Sequence, residues 1–321
     1  MKKKIMQGIS CLCFLSIALT CVVGTTYLYR YKNIDRNRIV GFYSESEESL
    51  DVVTVGGSNI FVYWQPYTAW NQHGFTSYNY ATNSSTALSL KYSIKEVLKT
   101  QRPELFVVEL RAFRLDTEEF YEPGLRNNSD SMDLLSPNRI GYIREYLQLT
   151  EVPEDVNRAS LYFDLIKFHS NRAALEEPLS WKYIDNREEN TNKGYEAYNR
   201  WSALSRPVSF ETDEREKLGE DREKVLRDLL EFCQEEEMNV LFLLTPYQIT
   251  SSEQKLYNSM EDMIRSYGFD FLNSNLYYDE MGLDFSTDFY NGNHVTISGA
   301  EKFTTWLGAY IKENYEISNH V

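Results

Sequence analysis

Short apolar runs alternate with amphipathic helical patterns along most of the chain, and this alternation limits the fold more than any other feature. Runs rich in β-branched and other apolar residues predict buried strands at 51–55, 105–110, 239–246 and 269–272. Amphipathic helices are predicted at 84–100, 213–237, 252–266 and 298–313. Near-continuous apolar strands separated by helices belong to a parallel sheet that is covered on both faces. We therefore expect an α/β fold whose ligands gather at the carboxyl ends of the strands.

The first 33 residues differ from the rest. They hold five basic residues and no acidic one, and residues 5–29 carry no charge. A stretch of this length exceeds the roughly 20 apolar residues that a helix needs to cross a bilayer. We predict an uncleaved membrane anchor over 1–33, with a cleaved signal peptide or a lipid attached at Cys21 as alternatives. Because three lysines precede the span, the positive-inside rule places residues 34–321 outside the cytoplasm.

The body, residues 34–321, is strongly acidic, with a formal net charge of −20 against −15 for the whole chain. This charge speaks against nucleic-acid binding, and it favours a neutral glycan over an anionic polymer as substrate. Three of the four cysteines lie in the leader, so Cys233 has no partner for a disulfide within the body. No metal-binding spacing of His, Cys or carboxylate residues occurs, and we expect neither a metal nor a cofactor.

Two polar segments at opposite ends of the body carry candidate chemistry. Gly57 and Ser58 follow the first predicted strand directly, which places the serine hydroxyl at the start of a helix. His294 lies on a polar loop just before the last predicted helix, where its side chain can reach over the edge of the sheet. The glycine–serine turn is neither a phosphate-binding P-loop nor the nucleophile elbow of the α/β-hydrolases, because the residues that follow it differ.

Together these segments resemble the SGNH/GDSL hydrolase superfamily, in particular its membrane-anchored bacterial branch of DltD-like proteins. In that branch a Gly-Ser-Ser-His or similar turn follows the first strand, as Gly-Gly-Ser-Asn at 56–59 does here. An Asp-x-x-His pair then precedes the final helix, and the segment 293–304 looks like the ending of that branch. The resemblance implies a three-layer α/β/α flavodoxin-like SGNH fold with a parallel sheet. It also implies that Ser58 is the nucleophile and His294 the base of a serine esterase or O-acyltransferase.

The triad's third member departs from the superfamily pattern, because Asn291 stands where that family usually has aspartate. An asparagine can orient a neutral imidazole but cannot stabilise the imidazolium that forms during acyl transfer. Asp288 and Asp284 lie on the same loop and could supply the carboxylate instead. We therefore expect Asp288 or Asn291 to orient His294, and a non-catalytic member of the superfamily is the alternative.

The oxyanion and substrate groups are less clearly marked. Gly57, Asn59 and Asn83 are the candidate oxyanion residues, together with the backbone N–H of Ser58. Arg111 would either bind an anionic substrate or pair with a carboxylate. Trp64, which lies shortly after the proposed nucleophile, would either offer an aromatic platform to a sugar ring or belong to the core.

Residues 111–212 interrupt the alternation, with helical patterns only at 138–149 and 156–170. We interpret this region as an insertion over the carboxyl edge of the sheet, where it would shape a substrate groove; a peripheral helical pack is the alternative. The resemblance implies a single-pass protein on the bacterial surface that acts on acyl esters of cell-envelope polysaccharide or teichoic acid. The second hypothesis is a degenerate scaffold or glycan-binding partner of a membrane-bound O-acyltransferase.

Overall fold

The computed structural model describes residues 2–30, 38–115, 117–171 and 189–321. The chain begins with helix α1, Lys2–Arg30, which is long and apolar enough to cross a membrane. Most of its side chains are exposed as far as Val22. The last turns are different, because Thr26, Leu28 and Arg30 are buried against the body.

The body is built on a parallel sheet, as the sequence predicts, and this sheet has five strands. The strands are β1 (Val52–Gly56), β2 (Ser77–Ala81), β3 (Leu105–Glu109), β4 (Val240–Leu244) and β5 (Asp270–Asn273). Every residue of the first four strands is buried, which is the pattern of strands covered on both faces. The predicted strands are confirmed as β1, β3, β4 and β5, whereas β2 was not predicted.

The remaining elements surround this sheet. The helices are α2 (Ser58–Phe61), α3 (Pro66–His73), α4 (Ala87–Val97), α5 (Glu122–Ser131), α6 (Pro137–Leu149), α7 (Arg158–Tyr162), α8 (Asp164–Phe168), α9 (Glu220–Glu235), α10 (Ser251–Ser266) and α11 (Ile297–Asn314). An antiparallel hairpin, β6 (Phe289–Asn291) and β7 (His294–Val295), precedes α11. Short 3₁₀ helices lie at Gly41–Ser44, Arg111–Arg114 and Ser274–Leu276. Helix α3 packs on α11, while α4 packs on α6 and α9.

Local sequence explains where several helices begin. Thr250 and Glu253 form a capping box at the start of α10, each side chain accepting from the other's backbone N–H. Thr296 caps α11 by accepting a hydrogen bond from the Gly299 N–H. The helix predicted at 213–237 begins only at Glu220, because Gly219 has a φ of 80°, outside the helical region.

The strand order β2-β1-β3-β4-β5 shows where along the sheet a ligand crevice is expected. The chain passes from β1 to β2 on one side, then returns past β1 to β3 on the other. This reversal opens a crevice between the carboxyl ends of β1 and β3, which is where ligands bind in open parallel sheets. Ser58 follows β1 and Arg111 follows β3, so both lie at this crevice.

The region 111–212 has two parts with different surroundings. Its first residues, 111–115 and 117–121, continue from β3 along the crevice, and helices α5 to α8 follow. Helix α8 packs on the membrane-type helix α1, and α5 and α6 pack on α4. The second part, 189–212, crosses back over the hairpin, where the Ser202 N–H donates to the Phe289 carbonyl at 2.8 Å.

Candidate active site

Ser58 follows just after the point where strands β1 and β3 come close together. A Cβ atom on Gly56 would lie 2.9 Å from the Cβ of Glu109, so only glycine lets β1 and β3 come this near at their carboxyl ends. Gly57 is extended, and Ser58 then opens the short helix α2. The side chain of Ser58 is half-buried at the crevice rather than pointing into the core.

The hairpin brings His294 onto Ser58. Its strands β6 and β7 are joined by Gly292 and Asn293, a two-residue loop that pairs Asn291 directly with His294. In this position the Nε2 atom of His294 lies 2.8 Å from the Ser58 hydroxyl. The two residues predicted as nucleophile and base, which are 236 positions apart in the chain, are therefore in hydrogen-bond contact.

Asn291 fixes the proton on the ring of His294. Its Oδ1 accepts from the Asn293 backbone N–H at 2.9 Å and lies 3.0 Å from His294 Nδ1. Because a backbone N–H can only donate, the oxygen of the amide rather than its nitrogen must face both groups. His294 Nδ1 therefore carries the proton, and the Nε2 lone pair faces the hydroxyl of Ser58. This is the tautomer that a general base needs.

The two acidic residues of the loop lie elsewhere. Asp288 is buried and accepts from Lys302 Nζ at 2.6 Å and from the Asp284 backbone N–H at 2.8 Å. Asp284 accepts at Oδ1 from the Ser286 backbone N–H at 2.8 Å. Both carboxylates therefore stabilise the loop itself. Of the two residues proposed to orient His294, the structure brings only Asn291 into contact with the ring.

The charge around His294 disfavours its protonated form. Burial, and then the positive charges of Arg111 and Arg114, together lower the pKa of the ring to about 4. An imidazole in ordinary solvent has a pKa of about 6.5. His294 is therefore neutral at pH 7 and able to accept a proton, but the imidazolium that would result is poorly stabilised.

This electrostatic setting gives a direct prediction for the ring. We expect the His294 ring resonances to titrate near pH 4 in the folded protein. Proton uptake is opposed by burial and by two guanidinium groups, so the midpoint moves down from the ordinary value rather than up. Histidine-ring NMR over pH 3–8 measures it, with His294→Asn identifying the resonance. A midpoint near 6.5 would contradict the buried, cation-flanked setting.

Arg111 ties the end of β3 to the hairpin. Its Nη2 donates to the Asn293 carbonyl at 2.7 Å, and its Nε lies 3.3 Å from a carboxylate oxygen of Glu109. Both side chains are almost wholly buried. The Tyr63 hydroxyl donates to the same Asn293 carbonyl at 2.9 Å. Arg111 therefore pairs with a carboxylate, one of its two predicted roles, while also holding the residue next to His294.

The crevice above Ser58 is a cleft of about 240 Å³. Its walls come from the β1–α2 turn, the loop after β2, the segment after β3 and the hairpin: Gly57, Ser58, Asn59, Ser84, Ser85, Arg111, Ala112, Arg114, Leu115, Tyr121, Asn293 and His294. These lining residues include two arginines and no carboxylate, although the body as a whole is acidic. The Arg114 side chain is 39% exposed, and its Nη1 lies 3.4 Å from Glu253 Oε1.

The other predicted binding residues occupy mixed positions. Gly57 and Asn59 line the cleft, but the Asn59 side chain is hydrogen-bonded to Glu109. Asn83 lies outside the lining, and its carbonyl accepts from Asn127 Nδ2 at 3.1 Å. Trp64 is fully buried and donates from Nε1 to Ser77 Oγ at 3.0 Å, so it belongs to the core, the second of its predicted roles.

Three residues near the site were not anticipated. The ring of Tyr198 packs edge-to-face with the ring of His294, with the ring centroids 5.7 Å apart and the planes at 74°. Tyr121 donates to Ser84 Oγ at 3.1 Å and closes one wall of the cleft. Ser84 has a φ of 54°, a left-handed conformation that is uncommon for a residue other than glycine. Both tyrosines come from the region 111–212, whose pattern carried no signal for such contacts.

In this arrangement a proton can pass from the Ser58 hydroxyl to the neutral imidazole of His294, at the carboxyl edge of the parallel sheet. Such a pair activates a nucleophile when a third group orients the base, as Asn291 does here. No family model matches the chain, and neither a curated protein nor a solved structure matches it. The five-stranded parallel α/β architecture and this site are thus the findings on which a function must be argued.

Proposed function

We propose that the chain is a membrane-anchored serine esterase or O-acyltransferase of the SGNH type. One observation carries the proposal: the hydrogen-bonded series Ser58–His294–Asn291, with the base in the productive tautomer. A nucleophile, a base and an orienting acceptor in series are the functional unit of serine acyl transfer. The series opens on a cleft, so an ester could approach the Ser58 hydroxyl.

In the proposed reaction, Ser58 Oγ attacks the carbonyl carbon of an acyl ester while its proton passes to His294 Nε2. The backbone N–H of Ser58, at the start of α2, would donate to the oxyanion of the tetrahedral intermediate. Collapse of the intermediate breaks the ester C–O bond, and the leaving alcohol takes the proton from His294. Water or a glycan hydroxyl then attacks the acyl-serine by the same steps, giving hydrolysis or transfer.

The architecture supports the SGNH assignment at a finer level than α/β. The order β2-β1-β3-β4-β5 is the flavodoxin-like order of doubly wound sheets. Helices pack in separate groups, α3 with α11 and α4 with α9, as a three-layer α/β/α arrangement requires. A nucleophile after the first strand and a base just before the last helix agree with the resemblance seen in the sequence.

The proposed setting is the outer face of a bacterial membrane. Helix α1 would anchor the chain, with its N-terminal lysines in the cytoplasm and residues 34–321 outside. We propose acyl esters of a cell-envelope glycan or acylated polymer as substrates. Both arginines of the cleft are paired with carboxylates, Arg111 with Glu109 and Arg114 with Glu253, so they offset only part of the repulsion between the acidic body and an anionic polymer. A neutral glycan therefore remains the favoured substrate.

A specific observation also favours a second candidate, a scaffold of the same fold that has lost turnover. Asn291 brings no negative charge to His294, and Arg111 and Arg114 oppose protonation of the ring. A protein of this kind would present acyl chains or glycan to a membrane-bound O-acyltransferase. The two candidates differ in whether Ser58 forms a covalent adduct.

Covalent labelling of Ser58 distinguishes the candidates. We expect the full-length protein in detergent to react with a fluorophosphonate and to gain one adduct mass, located on Ser58 by peptide mapping. Ser58→Ala should abolish the adduct because the hydroxyl polarised by His294 is gone. Ser266→Ala, at an exposed serine far along the chain on α10, serves as the matched control and should label normally. Equal labelling of the Ser58→Ala protein would refute the enzyme, and an unreactive parent protein would favour the scaffold.

A further inference from the structure

The end of helix α1 is held by a buried cluster of charges on the helices α5 to α8. The Arg30 Nε lies 2.6 Å from Asp164 Oδ2, and its Nη2 donates to the carbonyls of Asp130 and Met132 at 2.7 and 3.2 Å. Arg139 donates to the other oxygen of Asp164 at 2.5 Å. Arg30 and Asp164 are fully buried, so α1 does not end in a loose tether at this point.

The level of these contacts relative to a bilayer follows from helix geometry. A helix crosses the hydrocarbon core in about 20 residues, so a span that starts at Ile5 leaves it near Gly24. Burial against the body starts directly beyond, at Thr26. Arg30 lies six residues beyond Gly24, which at 1.5 Å per residue is about 9 Å above the hydrocarbon boundary. The headgroup layer is about 5–7 Å thick, so Arg30 lies about 2–4 Å beyond its outer edge, close enough for large side chains beside it to reach the headgroups.

Four large apolar side chains are exposed on helices α6 and α8 and on the short connections that precede them. The exposed fractions are 70% for Leu135, 41% for Ile140, 63% for Phe163 and 41% for Ile166. Each lies within three residues of a group that contacts Arg30 or its partner Asp164. We call these four residues the juxtamembrane patch. Exposed aromatic and aliphatic side chains beside a membrane-spanning helix are suited to the lipid interface.

We propose that the juxtamembrane patch inserts into the headgroup region of the lipid bilayer that α1 crosses, so the body lies on the membrane in a fixed orientation. The proposal depends on α1 being a membrane anchor. Its occupant is a lipid surface because the four residues neighbour the groups that hold the end of α1, the helix that would cross the bilayer. The Arg30–Asp164–Arg139 cluster supplies the rigidity, because its buried ion pairs join the end of α1 to helices α6 and α8.

Spin labels measure this directly in the full chain reconstituted into lipid nanodiscs. Cysteine is introduced as Leu135→Cys or Phe163→Cys, with the leader cysteines Cys11, Cys13 and Cys21 changed to serine and the buried Cys233 kept. Val208→Cys is the matched control, because Val208 is an apolar residue 81% exposed outside the patch. We expect the ratio of oxygen to nickel-chelate accessibility to be several-fold higher at 135 and 163 than at 208.

The outcomes separate the patch from the anchor. In one outcome the protein resists alkaline-carbonate extraction, but the labels at 135 and 163 are as accessible to the nickel chelate as the label at 208. The proposal that the juxtamembrane patch inserts into the bilayer is then wrong, while α1 is still a membrane anchor. If carbonate releases the protein, α1 does not anchor the chain and the inference fails with it. Protection at 135 and 163 in carbonate-resistant protein supports both.

Discussion

Replacing Asn291 with aspartate should raise kcat of the proposed esterase by about ten- to a hundredfold. Two unit charges about 4 Å apart interact by about 4 kcal/mol at an effective dielectric constant near 20. Desolvation of the new carboxylate removes part of this gain, and each 1.36 kcal/mol that remains is worth tenfold in rate. Asn291 already supplies the acceptor for His294 Nδ1, so the substitution adds charge without changing the orientation of the ring.

The pH dependence identifies the cause of such a gain. In the parent protein the acid limb of kcat/KM should lie near pH 4, the pKa of His294. A carboxylate beside the ring favours its protonated form, so in Asn291→Asp the limb should move upward by about one to three pH units. Hydrolysis of a short-chain fluorogenic ester over pH 3–9 records both effects.

Two matched variants control for unrelated effects at the hairpin. Asn291→Ala removes the acceptor that fixes the tautomer, and it should lower kcat. Asp288→Asn neutralises a carboxylate on the same loop that pairs with Lys302 rather than with His294, and its acid limb should stay near that of the parent. A kcat and acid limb in Asn291→Asp equal to those of the parent would mean that charge at this position does not limit the reaction.

The central strands could be predicted because a strand buried on both faces is a short run of mostly apolar residues, which is visible in the sequence. Strands β1, β3 and β4 are runs of apolar residues, and their positions agree with the sequence expectation. Strand β2 escaped detection because Ser77 and Asn79 interrupt its aromatic residues. Both polar side chains are nevertheless buried, because each has a hydrogen-bond partner inside the fold. Asn79 accepts from the Thr54 hydroxyl at 2.6 Å, and Ser77 accepts from the Trp64 indole N–H at 3.0 Å. Only the assembled fold provides those partners.

The candidate site likewise has one feature that the local sequence explains and others that depend on contacts between distant segments. The pairing of Asn291 with His294 has a local cause, the two-residue Gly292–Asn293 loop, and such a loop is a recognised hairpin signal in sequence. The environment of His294 has no local cause. Tyr198 reaches the ring from 96 positions earlier in the chain, and Arg111 holds the hairpin from 182 positions before Asn293. Periodicity describes which face of an element is buried, so it cannot report contacts between elements that far apart.

Removing the Asp164 carboxylate should destabilise the protein more than any substitution in the cleft. Asp164→Ala leaves Arg30 and Arg139 as buried guanidinium groups without their counter-charge. Breaking a buried ion pair in this way costs about 3–5 kcal/mol, because the remaining charge stays desolvated and unpaired. We expect a loss of that size in the free energy of unfolding, measured by denaturant titration of the full-length protein in detergent micelles.

The matched control is Asp279→Ala, which breaks an ion pair with Arg206 that is exposed on both sides. Exposed pairs are screened by solvent, so this variant should unfold close to the parent. Arg139→Met should resemble Asp164→Ala, because Arg139 also donates to the carbonyls of Ser129 and Tyr162 at 3.2 and 3.1 Å, which would be left unpaired. If Asp164→Ala is no less stable than Asp279→Ala, the cluster does not hold α1 to the body, and the fixed orientation at the membrane loses its physical basis.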